Sequence, residues 1–197
     1  MESTNVQFSE QYDVIVVGAG PAGIGAAVAA GRGGAKTLLV DQCGSVGGMS
    51  TVGLMSHFTG TVGNRIYREI LDRAKETYFY DPGEDVFIDP ELLKIVYYQM
   101  LEEAGVTVLL YTFVCDAVMD GHTVKGIVCE NKSGRKIFRA DVVVDCSGDG
   151  DLAYRSGAAY SEGRGTDGKM QPATLMFKVG GVDMELACLP GSFETLV

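Results

Sequence analysis

The sequence predicts an α/β fold, a parallel β-sheet carrying an inserted β-meander and followed by the start of a second domain. Three observations carry the prediction. A short β-branched run, "DVIVVGAG", ends in glycine and leads directly into an Ala-rich helical stretch, "PAGIGAAVAAG". A second apolar run, "AKTLLVDQ", ends in the acid Asp41, and strand, tight turn, helix and strand within about 30 residues make a βαβ unit. Further on, "VCDAVMDGHTVKGIVCENKSGRKIFRADVVVDCSG" alternates between turns at Asp120-Gly121 and Ser133-Gly134 and closes in a buried strand, as a meander does.

The first strands have no polar face, which suits a parallel sheet covered by helices on both sides. Pro21 falls in the first turn of the first helix, where a missing N–H costs little. "CGSVGGMSTVGLMSHFTGTVG" reads as a loop, and a loop that long inside a compact domain is usually functional. "NRIYREILDRAKET" is an amphipathic helix with Ile66, Ile70, Leu71 and Ala74 on one face, and "YDPGED" is a turn. "DPELLKIVYYQMLEEAG" is a helix with Asp89 as N-cap, Pro90 at its first position and Gly105 just past its end. "VTVLLYTFV" reads as one strand, and after the meander "GDGDLAYRSG" opens a short helix. A Gly-rich linker follows, and "MQPATLMFKVGGVD" reads as the opening strand of something further, left incomplete at "FETLV".

The 197 residues are 46% hydrophobic and 21% charged, the balance of a globular chain, and the net charge of -10 argues against nucleic acid or an anionic surface as partner. Five cysteines, Cys43, Cys115, Cys129, Cys146 and Cys188, lie far apart with no C-x-x-C pair, which suits a reduced, cytoplasmic compartment. The N-terminus lacks the basic region of a secretory signal and reads as a flexible lead-in. The uncharged run from Val14 to Gly31 is long enough for a membrane span, but three glycines and Pro21 between strand and helix would break one.

Gly18-Ala19-Gly20-Pro21-Ala22-Gly23 fits G-x-G-x-x-G in the right place, after a strand and opening a helix. Gly18 permits the turn, Gly20 lets the backbone approach a pyrophosphate, Gly23 lets helix and strand pack closely, and the helix N-terminus offers orphan N–H donors. Asp41 ends the second strand at the spacing of a carboxylate that accepts from ribose hydroxyls, and its charge disfavours a 2'-phosphate, so NADP is the weakest dinucleotide choice. The fingerprint alone does not choose between FAD and NAD.

"YDVIVVGAGPAGIGAAVAAGRGGAKTLLVDQCGSVGGMST" resembles the N-terminus of FAD-dependent oxidoreductases of the glutathione-reductase-like superfamily. Gly47-Gly48, "VVVDCSGDGDLAYRSGA" and "MQPATLMFKVGGVD" resemble, more narrowly, the branch of the heterodisulfide reductase flavoproteins. The resemblance implies a Rossmann-like FAD-binding domain over 12–168, after a flexible N-terminus over 1–11 and before the start of an incomplete substrate domain over 169–197. It implies that Gly18, Gly20, Pro21, Ala22 and Gly23 meet the pyrophosphate, and that Asp41 and Gln42 meet the adenosine ribose. Gly47, Gly48 and Met49 would lie on the ribityl side, Val114 at the adenine edge, and Gly148 and Asp149 where the chain returns to the cofactor. Members of the branch are often associated with iron–sulfur clusters, which the cysteine spacing here does not supply.

Other candidates read more plainly. Cys43 has no partner thiol within five residues and reads as an unreactive small side chain, not a redox centre. His57 is read as a loop histidine ahead of a catalytic role, and His122 as exposed. Asp149 and Asp151 read as helix cap plus cofactor contact ahead of an acid–base pair. Tyr97, Tyr98, Met100 and Leu101 read as core.

The expected function is an oxidoreductase passing a hydride or electron pair through FAD to or from a small-molecule substrate or electron-transfer partner. No catalytic residue is assigned, no metal ligand is expected, and the oligomeric state is open. An NAD-dependent dehydrogenase and a non-catalytic FAD-binding fragment are the alternatives.

Overall fold

A computed structural model describes residues 7–55, 57–58, 65–75, 79–80 and 86–182. The chain runs β1 (Gln7–Val17), α1 (Pro21–Arg32), β2 (Thr37–Val40), a 3-10 turn (Gly48–Ser50), β3 (His57–Phe58), α2 (Arg65–Lys75), β4 (Phe79–Tyr80) and β5 (Val86–Ile88). It continues with α3 (Pro90–Glu103), β6 (Thr107–Leu109), β7 (Phe113–Asp120), β8 (Thr123–Asn131), β9 (Gly134–Asp145) and α4 (Asp151–Arg155). One sheet has the order β6-β2-β1-β9-β8-β7, and β3-β5-β4, from either side of α2, form a small antiparallel one.

β1 sits between two parallel partners, with Val14–Val17 in register with Thr37–Val40 on one side and Val142–Asp145 on the other. Its side chains divide between two cores. Val16, with Leu39, packs against Ile24, Val28, Leu93, Tyr97 and Met100 of the helices. Ile15 and Val17, with Leu38 and Val40, pack against Val114, Ile127, Cys129 and Phe138 of the meander. Helices therefore cover one face of the parallel strands, while the other is buried against the antiparallel β7–β9 part of the same sheet and Leu152 of α4, so the two helical layers the sequence suggested are not what forms. An apolar run reports that both faces are buried and says nothing about what buries them.

The helix punctuation is as expected. The Asp89 carboxylate accepts from the N–H groups of Glu91 and Leu92 at 2.8 and 3.3 Å, and Gly105 follows the last turn of α3 with a left-handed φ of +67°. On the helical layer an ion network ties three helices together. Arg32 of α1 meets Glu69 of α2 at 2.6 and 2.7 Å, and Arg73 bridges Glu69 and Glu103 of α3.

Three expectations change. β1 starts at Gln7 and pairs with β9 from Gln7↔Lys136 onward, so part of the predicted flexible lead-in joins the sheet because the long β9 offers it partners. "VTVLLYTFV" is divided between β6, which pairs with β2, and β7, which pairs with β8. Tyr111, at a positive φ of 51°, turns the chain between them. The strand predicted at 170–183 is not formed over 170–182, where Leu175 and Phe177 are 86% and 73% exposed and no described strand lies alongside to pair with. Among the described residues no helix is long and apolar enough to cross a membrane.

Candidate functional site

A cleft of about 440 Å³ opens at the C-terminal ends of β1 and β2, where a parallel sheet gathers its ligands. Its floor is the first glycine turn. The Gly18 N–H donates to the Val40 carbonyl at 2.8 Å, and at φ +96° a Cβ there would fall 2.3 Å from the Cys146 carbonyl oxygen. Gly20 differs. Its φ of -70° and ψ of -178° suit any residue, and a Cβ on it would meet nothing within 4 Å. No atom of the described chain accounts for a glycine at 20, and the residue lines the cleft. No side chain caps α1, and after the donor-less Pro21 the first-turn N–H groups of Ala22 and Gly23 have no partner within the helix, Ala22 lying at the cleft.

Asp41, at the end of β2, is held from two sides. Its Oδ2 accepts from the Ala19 N–H at 2.5 Å and its Oδ1 from the Cys43 N–H at 2.7 Å. The expected ribose acceptor is thus also a brace between two loops, and each oxygen keeps lone-pair capacity for a ligand hydroxyl. The second glycine pair is fastened to the first turn. The Gly47 N–H donates to the Ala19 carbonyl at 2.6 Å, Gly47 has φ +103°, and a Cβ on Gly48 would come within 2.9 Å of Gly20 Cα. Met49 stands exposed at the cleft mouth beside Val52.

The opposite wall comes from Thr112, Phe113 and Val114 and from the turn after β9, Cys146 to Gly148. Thr112 is secured by its N–H on the Asp41 carbonyl at 3.0 Å, and β7 is an edge strand, with no ladder partner on its outer side among the described residues. Asp145 organises the far turn, accepting from the N–H groups of Ser147 and Ala153 at 3.0 and 2.8 Å. Burial pushes its carboxyl up, but those bonds outweigh burial and hold it below its usual range.

The structure brings Gly18, Gly20, Pro21, Ala22, Asp41, Gln42, Gly48, Met49, Val114 and Gly148 to one cleft. It sets three predicted residues apart. Gly23 is buried packing, since a Cβ there would lie 1.8 Å from the Gly18 carbonyl oxygen, and Gly47 is a buried turn residue. Asp149 is exposed outside the lining. The N-cap of α4 is the left-handed Gly150, not an acid, while the Asp151 N–H is met by Ser147 Oγ at 3.0 Å and Asp151 itself reaches the cleft. Sequence reasoning missed Thr112, Phe113, Cys146 and Ser147 as lining; Cys146 and Ser147 follow the C-terminal end of β9, a usable signal, whereas Thr112 and Phe113 stand at the start of β7, just after the turn at Tyr111.

Among the described residues the lining carries no Lys or Arg, and its charged members are Asp41 and Asp151. A bound anion would be held by backbone N–H groups and the helix dipole, which lets an acidic chain hold one. Burial, with the Asp41 carboxylate next to it, pushes the Cys43 thiol up, and burial followed by Asp145 does the same to Cys146, so neither is a ready thiolate. The His57 side chain and Cys188 lie outside the described residues, and His122 is exposed in the turn between β7 and β8.

The FAD dependent oxidoreductase family matches residues 13–194 of the chain. The chain is 28% identical over 149 residues to digeranylgeranylglycerophospholipid reductase 2 of Methanopyrus kandleri, covering 70% of this chain and 38% of that protein. It is 34% identical over 152 residues to thiamine thiazole synthase of Aeropyrum pernix, covering 69% and 54%. Among solved structures it is similar in fold to THI4 of Thermovibrio ammonificans, with a TM-score of 0.59 at 20% identity over 74% of this chain and 61% of that one. A geranylgeranyl bacteriochlorophyll reductase-like protein of Thermoplasma acidophilum gives 0.58 at 20% identity over 75% and 42%. The chain spans about two fifths to three fifths of the length of these proteins.

Proposed function

We propose a function from one premise: the chain belongs to the FAD dependent oxidoreductase family. It binds FAD in the cleft at the ends of β1 and β2, and the whole protein is an oxidoreductase acting on a small molecule or an electron-transfer partner. The observation that carries the reading is the open space beside Gly20, bounded by the helix start at Ala22 and by Gly48. The first-turn N–H groups of α1 hold the pyrophosphate, Asp41 and Gln42 take the ribose, the Gly48-Met49 loop borders the ribityl chain, and Val114 meets the adenine edge. When bound, FAD supplies the hydride or electron-pair chemistry, while the chain binds, orients and surrounds it.

The finer placement is the branch resembling the heterodisulfide reductase flavoproteins, within the glutathione-reductase-like superfamily, in the cytoplasm. An iron–sulfur cluster would belong to an associated protein or segment, because among the described residues no group of three or more His, Cys, Asp or Glu could hold a metal. A second reading, an FAD-binding unit completed by other sequence, is favoured by the 38% and 54% coverage of the two relatives. Both are tested on the purified chain. Yellow protein that releases FAD on denaturation and prefers FAD to NADH is expected, and colourless protein that cannot be reconstituted with FAD overturns the assignment. Flavin that binds but is reduced by no donor selects the second reading.

A further inference from the structure

We propose that Tyr97, a residue outside the cleft, is a positioning residue that sets the conformation of the Gly47-Gly48 loop and through it the affinity for FAD; the inference rests on the FAD reading above. Tyr97 lies in α3 and is 0% exposed. Its hydroxyl is 3.2 Å from Ser50 Oγ, and Ser50 Oγ in turn donates to the Gly47 carbonyl at 2.7 Å. Ser50 has one hydroxyl proton, used on Gly47, so Tyr97 is the donor to Ser50. Burial pushes the Tyr97 phenol up, which keeps that proton in place.

Beyond Gly47 the line continues without a break. The Gly47 N–H donates to the Ala19 carbonyl and the Ala19 N–H to Asp41 Oδ2. One hydrogen-bonded path therefore runs from the middle of α3, through both glycine turns, to the carboxylate beside the cleft. Gly47 and Gly48 both have positive φ, and Thr51 Oγ1 anchors the same loop on the Val46 carbonyl. A loop of such residues has many conformations open to it, and the buried hydroxyls select one. Packing alone does not require the Tyr97 oxygen, since a phenylalanine would fill the same core.

The test is FAD titration of the full chain by flavin fluorescence, with apoprotein melting as the companion readout. Tyr97→Phe is expected to raise the FAD dissociation constant about 3- to 10-fold, the worth of one hydrogen bond. The apoprotein midpoint should stay within about 3 °C. Ser50→Ala cuts the same line from the loop side with the sequence of α3 unchanged and should give a similar rise, and the double variant should be no weaker than the weaker single. Tyr98→Phe, on the exposed side of α3, should match wild type. If both single variants bind FAD like wild type, or lose affinity only in proportion to a falling melting point, the positioning role is overturned. Should Tyr97→Phe fail to fold, Ser50→Ala decides. A wild-type chain that takes up no FAD overturns the reading beneath, and the wild-type titration separates that result from the others.

Discussion

A Cβ added at Gly23 would lie 1.8 Å from the carbonyl oxygen of Gly18, so the last glycine of the fingerprint excludes a side chain on account of the first, while the first excludes one on account of the Cys146 carbonyl. Gly20, between them, has no such neighbour. Gly23→Ala is therefore expected to cost about 3 kcal/mol or more of stability by forcing helix from strand. Gly20→Ala should melt like wild type yet weaken FAD binding at least about tenfold, because its methyl group fills ligand space. Thermal melts and FAD titrations of both variants separate the two roles, and a Gly20→Ala protein with wild-type affinity would remove the ground for the cradle.

Asp41 should show both effects at once. Asp41→Ala leaves the Ala19 and Cys43 N–H groups without their acceptor, at about 1–3 kcal/mol for each unsatisfied donor, and it also removes the ribose partner. A lower apoprotein melting point together with weaker FAD binding is the expected outcome. An unchanged melting point would mean that the carboxylate is not a brace.

Stability should depend on acid through Glu69. The Arg32 guanidinium, opposed by burial and reinforced by Arg73, holds the Glu69 carboxyl down at about 2 from its usual 4.5. Its folded value is the lower one, so its contribution is present above the usual value and is lost as pH falls from there through about 2. At pH 7 Glu69→Gln should destabilise by about 1 kcal/mol, as a part-exposed pair does, and the gap to wild type should close on acidification. A gap that does not change between neutral and acid melts contradicts the network.

The thiols should be slow nucleophiles. Burial, with Cys115 nearby, pushes Cys129 up to about 12, and Cys43 and Cys146 are raised as well. In the folded chain at neutral pH, iodoacetamide should label all three more slowly than in the unfolded chain, as read by peptide mass spectrometry. Cys43→Ser should keep wild-type FAD affinity, because the part of Cys43 in use is its N–H on Asp41. Rapid labelling of native Cys43 would revive a redox role for it.

What could be read from the sequence was local. The Asp89 cap, Gly105 and the strand–turn–helix at Gly18 each depend on neighbours within a few residues, and each is found in place. Features set by distant partners were not legible. Nothing in "VTVLLYTFV" tells that its halves join different strands, and nothing in "QFSEQ" tells that β9 will pair with it. Tyr97 has the helical spacing of a core residue and is one, but its link to Ser50 comes from a loop that no periodicity places. Most of the cleft was legible because glycines and strand ends mark it. Its opposite wall was not, because Thr112 and Phe113 reach it only through the turn at Tyr111.

The pairing of β1 with β9 has a consequence for synthesis. β1 is made first, yet one of its edges has no partner until β9 is made, late in the described chain, while its other partner, β2, follows directly. During translation the nascent βαβ unit must carry an apolar strand with one edge open, the kind of surface that chaperones cover. Whatever slows the ribosome across the meander prolongs that exposure.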